Sequence, residues 1–414
     1  MTTQHTVVMV TTSYPRFPGD LTGTFLEPIA HGVANRGHRV HVVAPWHPDI
    51  QRPAREGNVH FHFYQYAPSD ALNVFGYASA LKADTSMRLS AYAVTPFALY
   101  AGLKETRRVI QTHGATMVHA HWVIPNGFIA SLASRSLPLV VSLHGSDVYV
   151  AEKYSFASVA ARRTFARTQW VTACSEDLRS RALRLGASNL QSEVIPYGVD
   201  IDRFQPNSDA RLQLRSTHSL TTDHCIVLCV GRLVRKKGFE YLIDAVASLA
   251  KQQPTVRLVV AGDGDLGREL REQADQRNIT DRIIWLGAIT QREVADWLAV
   301  ADIVAVPSVR DAAGNVDGLP NVVLEALASA TPVITTTAGG IGSVAIDHET
   351  ALVVPERDAN ALAEAIETLR TDRSLRVTIG RTAREYVRTH NSWAHLAERF
   401  ESVYEKAVQK MAPS

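Results

Sequence analysis

The stretch Thr6–Pro45, TVVMVTTSYPRFPGDLTGTFLEPIAHGVANRGHRVHVVAP, decides the fold class. Its opening run TVVMVTT and its closing run HRVHVVAP are short and apolar, as buried strands are. Between them, FLEPIAHGVANRG places Phe25, Ile29 and Val33 on one helical face and ends at Gly37. Two strands joined by a helix make a parallel crossover, so the stretch predicts a parallel sheet covered by helices.

The same strand and helix rhythm continues along the chain in two halves. ATMVHAH, LPLVVSLHG and QWVTACS extend the first half, and HCIVLCVGRL, VRLVVAGDG, RIIWLGAI, ADIVAVPS and TPVITTT form the second. The turn-rich segment VIPYGVDIDRFQP between them is interpreted as a linker. Because 414 residues exceed one ordinary core, we predict an α/β chain with two doubly wound domains, residues 1–200 and 201–391.

Two long helices are also predicted. One covers about Leu89–Gln111, where Pro96 is expected to kink or divide it. The other is the closing segment SWAHLAERFESVYEKAVQK, whose place in the fold cannot be derived from its periodicity.

Composition excludes several classes of protein. A hydrophobic fraction of 46% argues against disorder or a fibre, and a net charge of +2 argues against a general nucleic-acid binder. The three cysteines lie in apolar runs and cannot all pair, which favours a reducing cytosol.

No leader and no apolar stretch of membrane-span length is expected. Basic residues near Lys82, Arg88, Arg107 and Arg108 indicate either peripheral membrane contact or a solvated helix face.

Charged residues mark two loops of the second half. In GRLVRKKGFEYL, Arg232 and Lys237 follow a strand, where cations can neutralise a diphosphate. In NVDGLPNVVLEALASATPVI, Asp317 lies in a loop and Glu325 in a helix that Pro320 is expected to open. Such a helix start suits a phosphate. A solvated basic loop and a turn acid are the alternatives.

Loops of the first half carry further candidates. In SYPRFPGDLTGTF, Gly19 and Gly23 permit close backbone approach before a helix start. LHGSDVY places His144 and Asp147 just past a strand, where the histidine is either a hydrogen-bond partner or a catalytic group. The dinucleotide fingerprint, the P-loop and the nucleophile elbow are absent from the sequence. No zinc-like spacing of cysteines and histidines is present, so no metal site is predicted.

Together these motifs resemble the family-4 retaining glycosyltransferases of the bacterial polysaccharide and glycolipid type. The resemblance spans nearly the whole chain and rests on the order of HGSD, IPYGVDIDRF, VGRLVRKKG, AGDGD and GLPNVVLEALASATPVI. It implies the GT-B fold, two Rossmann-like domains that face each other across a cleft. It also implies that the C-terminal helix, residues 392–414, crosses back onto the first, acceptor-side domain.

The resemblance implies roles for residues of the second domain, which binds the nucleotide sugar. Arg232 and Lys237 would hold the donor's diphosphate, assisted by the backbone of Gly318 and Leu319. Glu325 would bind the ribose hydroxyls of the nucleotide.

The remaining implied contacts concern the transferred sugar. Asp317 stands where the family has a glutamate that holds hydroxyls of that sugar, and its side chain reaches less far. His144 matches a histidine that supports the donor sugar near the reacting centre, and Gly23 and Thr24 match a loop that closes over phosphate and acceptor. The implied catalytic residues are His144, Arg232, Lys237 and Asp317.

The implied activity is retaining transfer of a hexose from a UDP- or GDP-sugar to a hydroxyl of a glycan or lipid-linked acceptor. No cofactor, metal or nucleic acid is expected to take part. A nucleotide-sugar epimerase of the same fold and a catalytically silent nucleotide-sugar-binding protein are the alternatives, and an oxidoreductase ranks last. The donor's base, its sugar and the acceptor stay open.

Overall fold

The computed structural model describes residues 4–20, 22–77, 81–83, 86–87, 89–312 and 314–411. They form two compact units. The first unit consists of the residues up to Pro196 together with those from Trp393 onward, and the second unit is Tyr197–Ser392. The division falls inside the turn-rich segment that the sequence analysis interpreted as a linker.

The first unit is built around a parallel sheet. Its strands are β1 Thr6–Val10, β2 Arg39–Pro45, β3 Arg55–Glu56, β4 Val59–Tyr64, β7 Met117–His121, β8 Leu139–Leu143, β9 Trp170–Ala173 and β10 Ser192–Val194, with a separate antiparallel pair β5 Leu81–Ala83 and β6 Ser86–Met87. The described strands of the main sheet follow the order β10-β9-β8-β7-β1-β2-β4-β3, and β3 is its antiparallel member.

Helices cover both faces of this sheet. They are α1 Leu26–Asn35, α2 Leu89–His113, α3 Phe128–Ala133, α4 Ser146–Lys153, α5 Ser155–Phe165, α6 Glu176–Arg184 and the C-terminal α14 Trp393–Met411. Leu396, Phe400 and Tyr404 of α14 share one core with Ile29 and Val33 of α1. The C-terminal helix is therefore part of the first unit.

The second unit has a parallel sheet of its own. Its strands are β11 Cys225–Val230, β12 Val256–Ala261, β13 Ile283–Gly287, β14 Ile303–Val306, β15 Val333–Thr335 and β16 Ala351–Val353, and its helices are α7 Ser208–Thr217, α8 Phe239–Ala250, α9 Gly267–Gln276, α10 Gln291–Val300, α11 Asn321–Ala328, α12 Ala359–Thr371 and α13 Arg373–His390. Among the described strands the order is β13-β12-β11-β14-β15-β16. The prediction of two doubly wound parallel sheets is confirmed.

The structure bears on two local predictions about prolines. α2 continues through Pro96, so this proline does not divide the helix, and the predicted kink stays a prediction. Val94 and Ala98, on either side of Pro96, pack in one cluster with Phe75. Pro320 is not the first helical residue: its ψ of 124° is extended, and α11 begins one residue later. The missing N–H of Pro320 still costs the helix no internal hydrogen bond.

Candidate active site

The strand order of the second unit locates a ligand site by topology alone. From β11 the chain adds strands toward one edge of the sheet, and from β14 it adds them toward the other, so the strand order switches between β11 and β14. Open parallel sheets bind ligands outside the carboxyl ends of the strands at such a switch point. The loop after β11 carries Arg232 and Lys237, and the loop after β14 carries Asp317. Residues that are far apart in sequence thus reach one edge of one sheet.

Two glycines allow the loops at this edge to touch. Gly262, in AGDGD, has a φ of +134°, and a β-carbon there would lie 1.9 Å from the carbonyl oxygen of Gly231. Gly238 has a φ of +67°, and a β-carbon there would lie 2.0 Å from the carbonyl oxygen of Pro307. Only glycine tolerates both the conformation and the approach. The AGDGD motif therefore packs closely against the loop after β11.

Lys237 and Asp317 form an ion pair at this edge. Lys237 Nζ lies 2.6 Å from Asp317 Oδ2, and Lys236 Nζ lies 3.2 Å from Asp317 Oδ1. The Lys237 stem runs past Gly231 at the end of β11, with Cε 3.5 Å from where a β-carbon on that glycine would stand. Each of the three charged side chains is about one-seventh exposed, so a ligand can still reach them.

The two ammonium groups keep Asp317 ionised. Burial by itself raises the pKa of this carboxyl, but Lys237 and Lys236 outweigh it and lower the pKa to about 2. Lys237 was predicted to hold a phosphate and Asp317 a sugar, as separate groups, and Lys236 was not predicted. Its only signal was the run RKK, which does not say which of the three side chains turns inward.

The other predicted residues of this unit lie in the same two loops or at the start of α11. Arg232 is exposed and lies two residues after the end of β11. Gly318 and the buried Leu319 lead into the N-terminus of α11, where backbone N–H groups have no partner within the helix. The structure therefore gathers cations, an acid and a helix start into one group.

Glu325 is the fifth residue of α11, which has eight residues, and it is only partly exposed. Desolvation raises the pKa of its carboxyl to about 7, against the opposing charges of Arg203 and Lys237. A carboxylate poised at neutral pH, next to a cation group, fits a residue that ionises fully when it accepts hydrogen bonds.

Glu325→Gln is expected to change how stability depends on pH. Since the folded pKa lies near 7 and the ordinary value is 4.5, the unfolded chain loses this proton first as pH rises. Because of Glu325, the free energy of unfolding falls as pH rises from about 4.5 to 7. The full loss, present above pH 7, is roughly 1–3 kcal/mol once partial exposure is allowed for. Urea unfolding at pH 5 and pH 8 should show a smaller difference in the variant than in the parent protein.

Glu364→Gln is the matched control, since it is an exposed glutamate on α12. It should keep the parent's pH dependence. An equal pH dependence in Glu325→Gln and the parent would contradict the raised pKa.

The first unit has its own switch point, between β1 and β7. The loop after β1 contains Gly23 and Thr24, and the Gly23 carbonyl accepts the Leu26 N–H at 2.9 Å to start α1. The ring centroids of Phe25 and His144 lie 4.5 Å apart. The structure thus brings the predicted glycine loop and the predicted histidine together.

His144 is a neutral histidine in a buried pair. Its Nε2 lies 3.0 Å from His121 Nδ1, and burial together with His119 lowers the pKa of His144 to about 3. The ring can therefore donate or accept one hydrogen bond at neutral pH, but it is not a cation. Its partner His121 is the last residue of β7, and the pairing was not predicted.

Two acids shape these loops without having been predicted to do so. Asp147 accepts the Val123 and Gly145 N–H groups at 2.7 and 3.1 Å, and burial raises its pKa to about 6. Asp20 binds the Arg16 guanidinium at 2.7 Å; although burial opposes it, this contact lowers the Asp20 pKa to about 2. Both acids hold backbone in place beside Gly23 and His144.

The prediction of peripheral membrane contact stays a prediction. Arg108 donates to Glu105 at 2.6 Å and Arg107 to the Leu132 carbonyl at 3.1 Å, both from the exposed side of α2. Arg88 and the side chain of Lys82 lie outside the described residues. No helix in the described ranges combines the length and the apolarity that a bilayer span requires.

Two family models match the chain. "Glycosyl transferase 4-like domain" covers residues 22–198 and "Glycosyl transferases group 1" covers residues 211–386. The putative teichuronic acid biosynthesis glycosyltransferase TuaC of Bacillus subtilis is 36% identical over 60% of this chain and 60% of its own length, which is less than two thirds of that relative. A GDP-mannose-dependent alpha-(1-6)-phosphatidylinositol monomannoside mannosyltransferase of Mycobacterium tuberculosis is 32% identical over 70% of this chain and 76% of its own.

Solved structures share the fold over the full length. Sucrose-phosphate synthase of Thermosynechococcus elongatus superposes with a TM-score of 0.76 at 22% identity, covering 98% of this chain and all of its own. HepE of Anabaena in complex with UDP superposes with a TM-score of 0.74 at 20% identity, covering 96% of this chain and 98% of its own. The chain has the GT-B fold and belongs to the group 1, family-4-like glycosyltransferases.

Proposed function

We propose that this glycosyltransferase is a retaining hexosyltransferase that takes its sugar from a nucleotide diphosphate. The observation that carries the proposal is the group of Lys236 and Lys237 on one carboxylate at the β11–β14 switch point. Three cations with Arg232, one anion and a helix N-terminus make a site for a diphosphate. The nucleotide's ribose would then lie on Glu325.

Lys237 can bind a phosphate without releasing Asp317. An ammonium group has three N–H donors, and the contact with Asp317 Oδ2 uses one of them. Asp317 would thus orient the two lysines before the donor arrives, so little reorganisation is needed on binding. Two of its roughly four lone-pair sites stay open for hydroxyls of the transferred sugar. The Gly318 and Leu319 N–H groups would complete the diphosphate contacts.

The charges at this site suit departure of a nucleoside diphosphate. The bond between the anomeric carbon and the phosphate oxygen breaks, and its electron pair stays on the diphosphate. The acceptor oxygen forms the new bond on the same face, and its proton passes to a phosphate oxygen. Arg232 and Lys237 would stabilise the growing negative charge, so a metal ion is not needed for that task.

In the first unit, His144 and the Gly23–Thr24 loop would serve the sugar and the acceptor. A neutral imidazole can hydrogen-bond a sugar hydroxyl without adding positive charge near an oxocarbenium-like centre. Both UDP-sugars and GDP-mannose are candidate donors, because a solved relative holds UDP and a sequence relative uses GDP-mannose. Glycans and lipid-linked saccharides are the candidate acceptors.

A thermal-shift screen followed by a transfer assay tests this proposal. One UDP- or GDP-sugar should raise the melting temperature, since a ligand of the folded state stabilises it. Transfer to an acceptor should then give a product with the donor's anomeric configuration, at a rate that EDTA does not change. Inversion, or an absolute need for Mg²⁺ or Mn²⁺, would contradict the mechanism. Conversion of the donor without an acceptor would indicate an epimerase, and binding without turnover a silent binding protein.

A further inference from the structure

Histidines of two strands and one helix meet at an edge of the first unit. His41 lies in β2, His62 in β4, and His113 is the last residue of α2. One ring nitrogen from each of the three lies within 4.8 Å of the other two. The proposed donor site belongs to the second unit and uses none of these residues.

Ring stacking and a hydrogen bond join the members of this cluster. His41 Nδ1 and His62 Nε2 lie 2.9 Å apart in a hydrogen bond. The ring centroid of His113 lies 4.3 Å from that of His41 and 5.2 Å from that of His62. His41 is 1% exposed, and its Nε2 has no hydrogen-bond partner among the described residues. Buried polar atoms are normally satisfied, so this ring points to a missing ligand.

We propose that His41, His62 and His113 bind a divalent transition metal ion, with Zn²⁺ as the first candidate. Imidazole nitrogen is a preferred zinc ligand, and three histidines leave a fourth position for water. Zinc bonds of about 2.0–2.1 Å set nitrogen atoms roughly 3.3 Å apart in a tetrahedral site. His113 ends a helix and is partly exposed, so its ring can close the distance.

A cation of the protein lies next to this cluster. Arg108 lies 3.5 Å from His62 Nδ1, but its charge is paired with Glu105. A bound ion would tie β2, β4 and the end of α2 together.

A second cluster of possible ligand atoms already contains a positively charged side chain. Glu27, His31 and Glu56 also bring their ligand atoms together. The Arg52 guanidinium contacts both carboxylates and lies 2.7 Å from Glu56. An arginine already supplies the positive charge there, so this cluster needs no metal and His31 serves as an internal control.

Zn²⁺ titration of full-length, tag-free protein that has been stripped with a chelator tests the site. Calorimetry should show one equivalent bound, with a raised melting temperature, in the presence of excess Mg²⁺. His113→Ala should weaken binding by more than the roughly 10–100-fold that loss of a supporting partner costs, while His31→Ala should bind as the parent does. Co²⁺ should give visible absorption typical of four- or five-coordinate nitrogen ligation in the parent and in His31→Ala only.

No stoichiometric binding by the parent, or equal binding by His113→Ala and His31→Ala, would overturn the site. The melting temperature of His113→Ala without metal shows separately whether that variant folds. Because the proposed chemistry is metal-free, a chelator should lower the melting temperature without abolishing sugar transfer. The two proposals can therefore fail independently.

Discussion

Lys237→Ala is expected to lower kcat/KM for sugar transfer by about 10²–10³-fold, as loss of one preorganised group that stabilises developing charge does. The reason is that Lys237 lies over Gly231 at the end of β11, where a diphosphate would gain negative charge on leaving. The carboxylate of Asp317 is not left unpaired in this variant, because Lys236 Nζ lies 3.2 Å from its Oδ1. The melting temperature should therefore shift by only a few degrees. Steady-state kinetics with the donor found in the thermal-shift screen measures the effect.

Lys236→Ala is the matched control for this prediction. It removes the same charge from the same carboxylate, but its residue is not the one that the family resemblance assigns to the diphosphate. Its kcat/KM should fall by about tenfold or less, the scale of one screened charge contact. Equal losses in the two variants would mean that only the net charge around Asp317 matters. Near-normal transfer by Lys237→Ala would refute the diphosphate assignment.

The sequence predicted the sheets well because their signal is local. Runs such as CIVLCV are buried on both faces, and each is followed within a few residues by a loop and an amphipathic helix. The three-residue strand β16, ALV, was not predicted, because so short an apolar run has no periodicity to distinguish it from a loop. Pro320 was placed one residue too far into its helix, since ψ depends on the loop before it.

The contacts within the site were harder to predict than its members. Arg232, Lys237, Asp317 and Glu325 follow neighbouring strands, and strand order brings such residues together. The pairing of Lys236 and Lys237 with one carboxylate depends on the path of a long loop after β14, which no sequence period encodes. The same holds for His121 with His144, and for the cluster of His41, His62 and His113, whose members lie too far apart in sequence to form a recognisable metal motif.

Gly262→Ala is expected to destabilise the second unit strongly. A β-carbon would stand 1.9 Å from the Gly231 carbonyl oxygen, and the φ of +134° is strained for alanine. Backbone has to move on both loops, so the free energy of unfolding should fall by about 3–5 kcal/mol. Since Gly231 precedes Arg232, kcat/KM should fall as well. Urea unfolding and steady-state kinetics measure the two effects.

Gly287→Ala separates the clash from the conformational strain. Gly287 also has a positive φ, +68°, and its carbonyl accepts the Gly262 N–H at 2.7 Å, but a β-carbon there meets no described atom within 4 Å. Only the cost of the left-handed conformation remains, about 1–2 kcal/mol. A loss in Gly262→Ala no larger than in Gly287→Ala would mean that the loops can separate freely. The AGDGD glycines would then not hold Arg232 in place, and the close approach of the two loops could not be what positions the cations for a diphosphate.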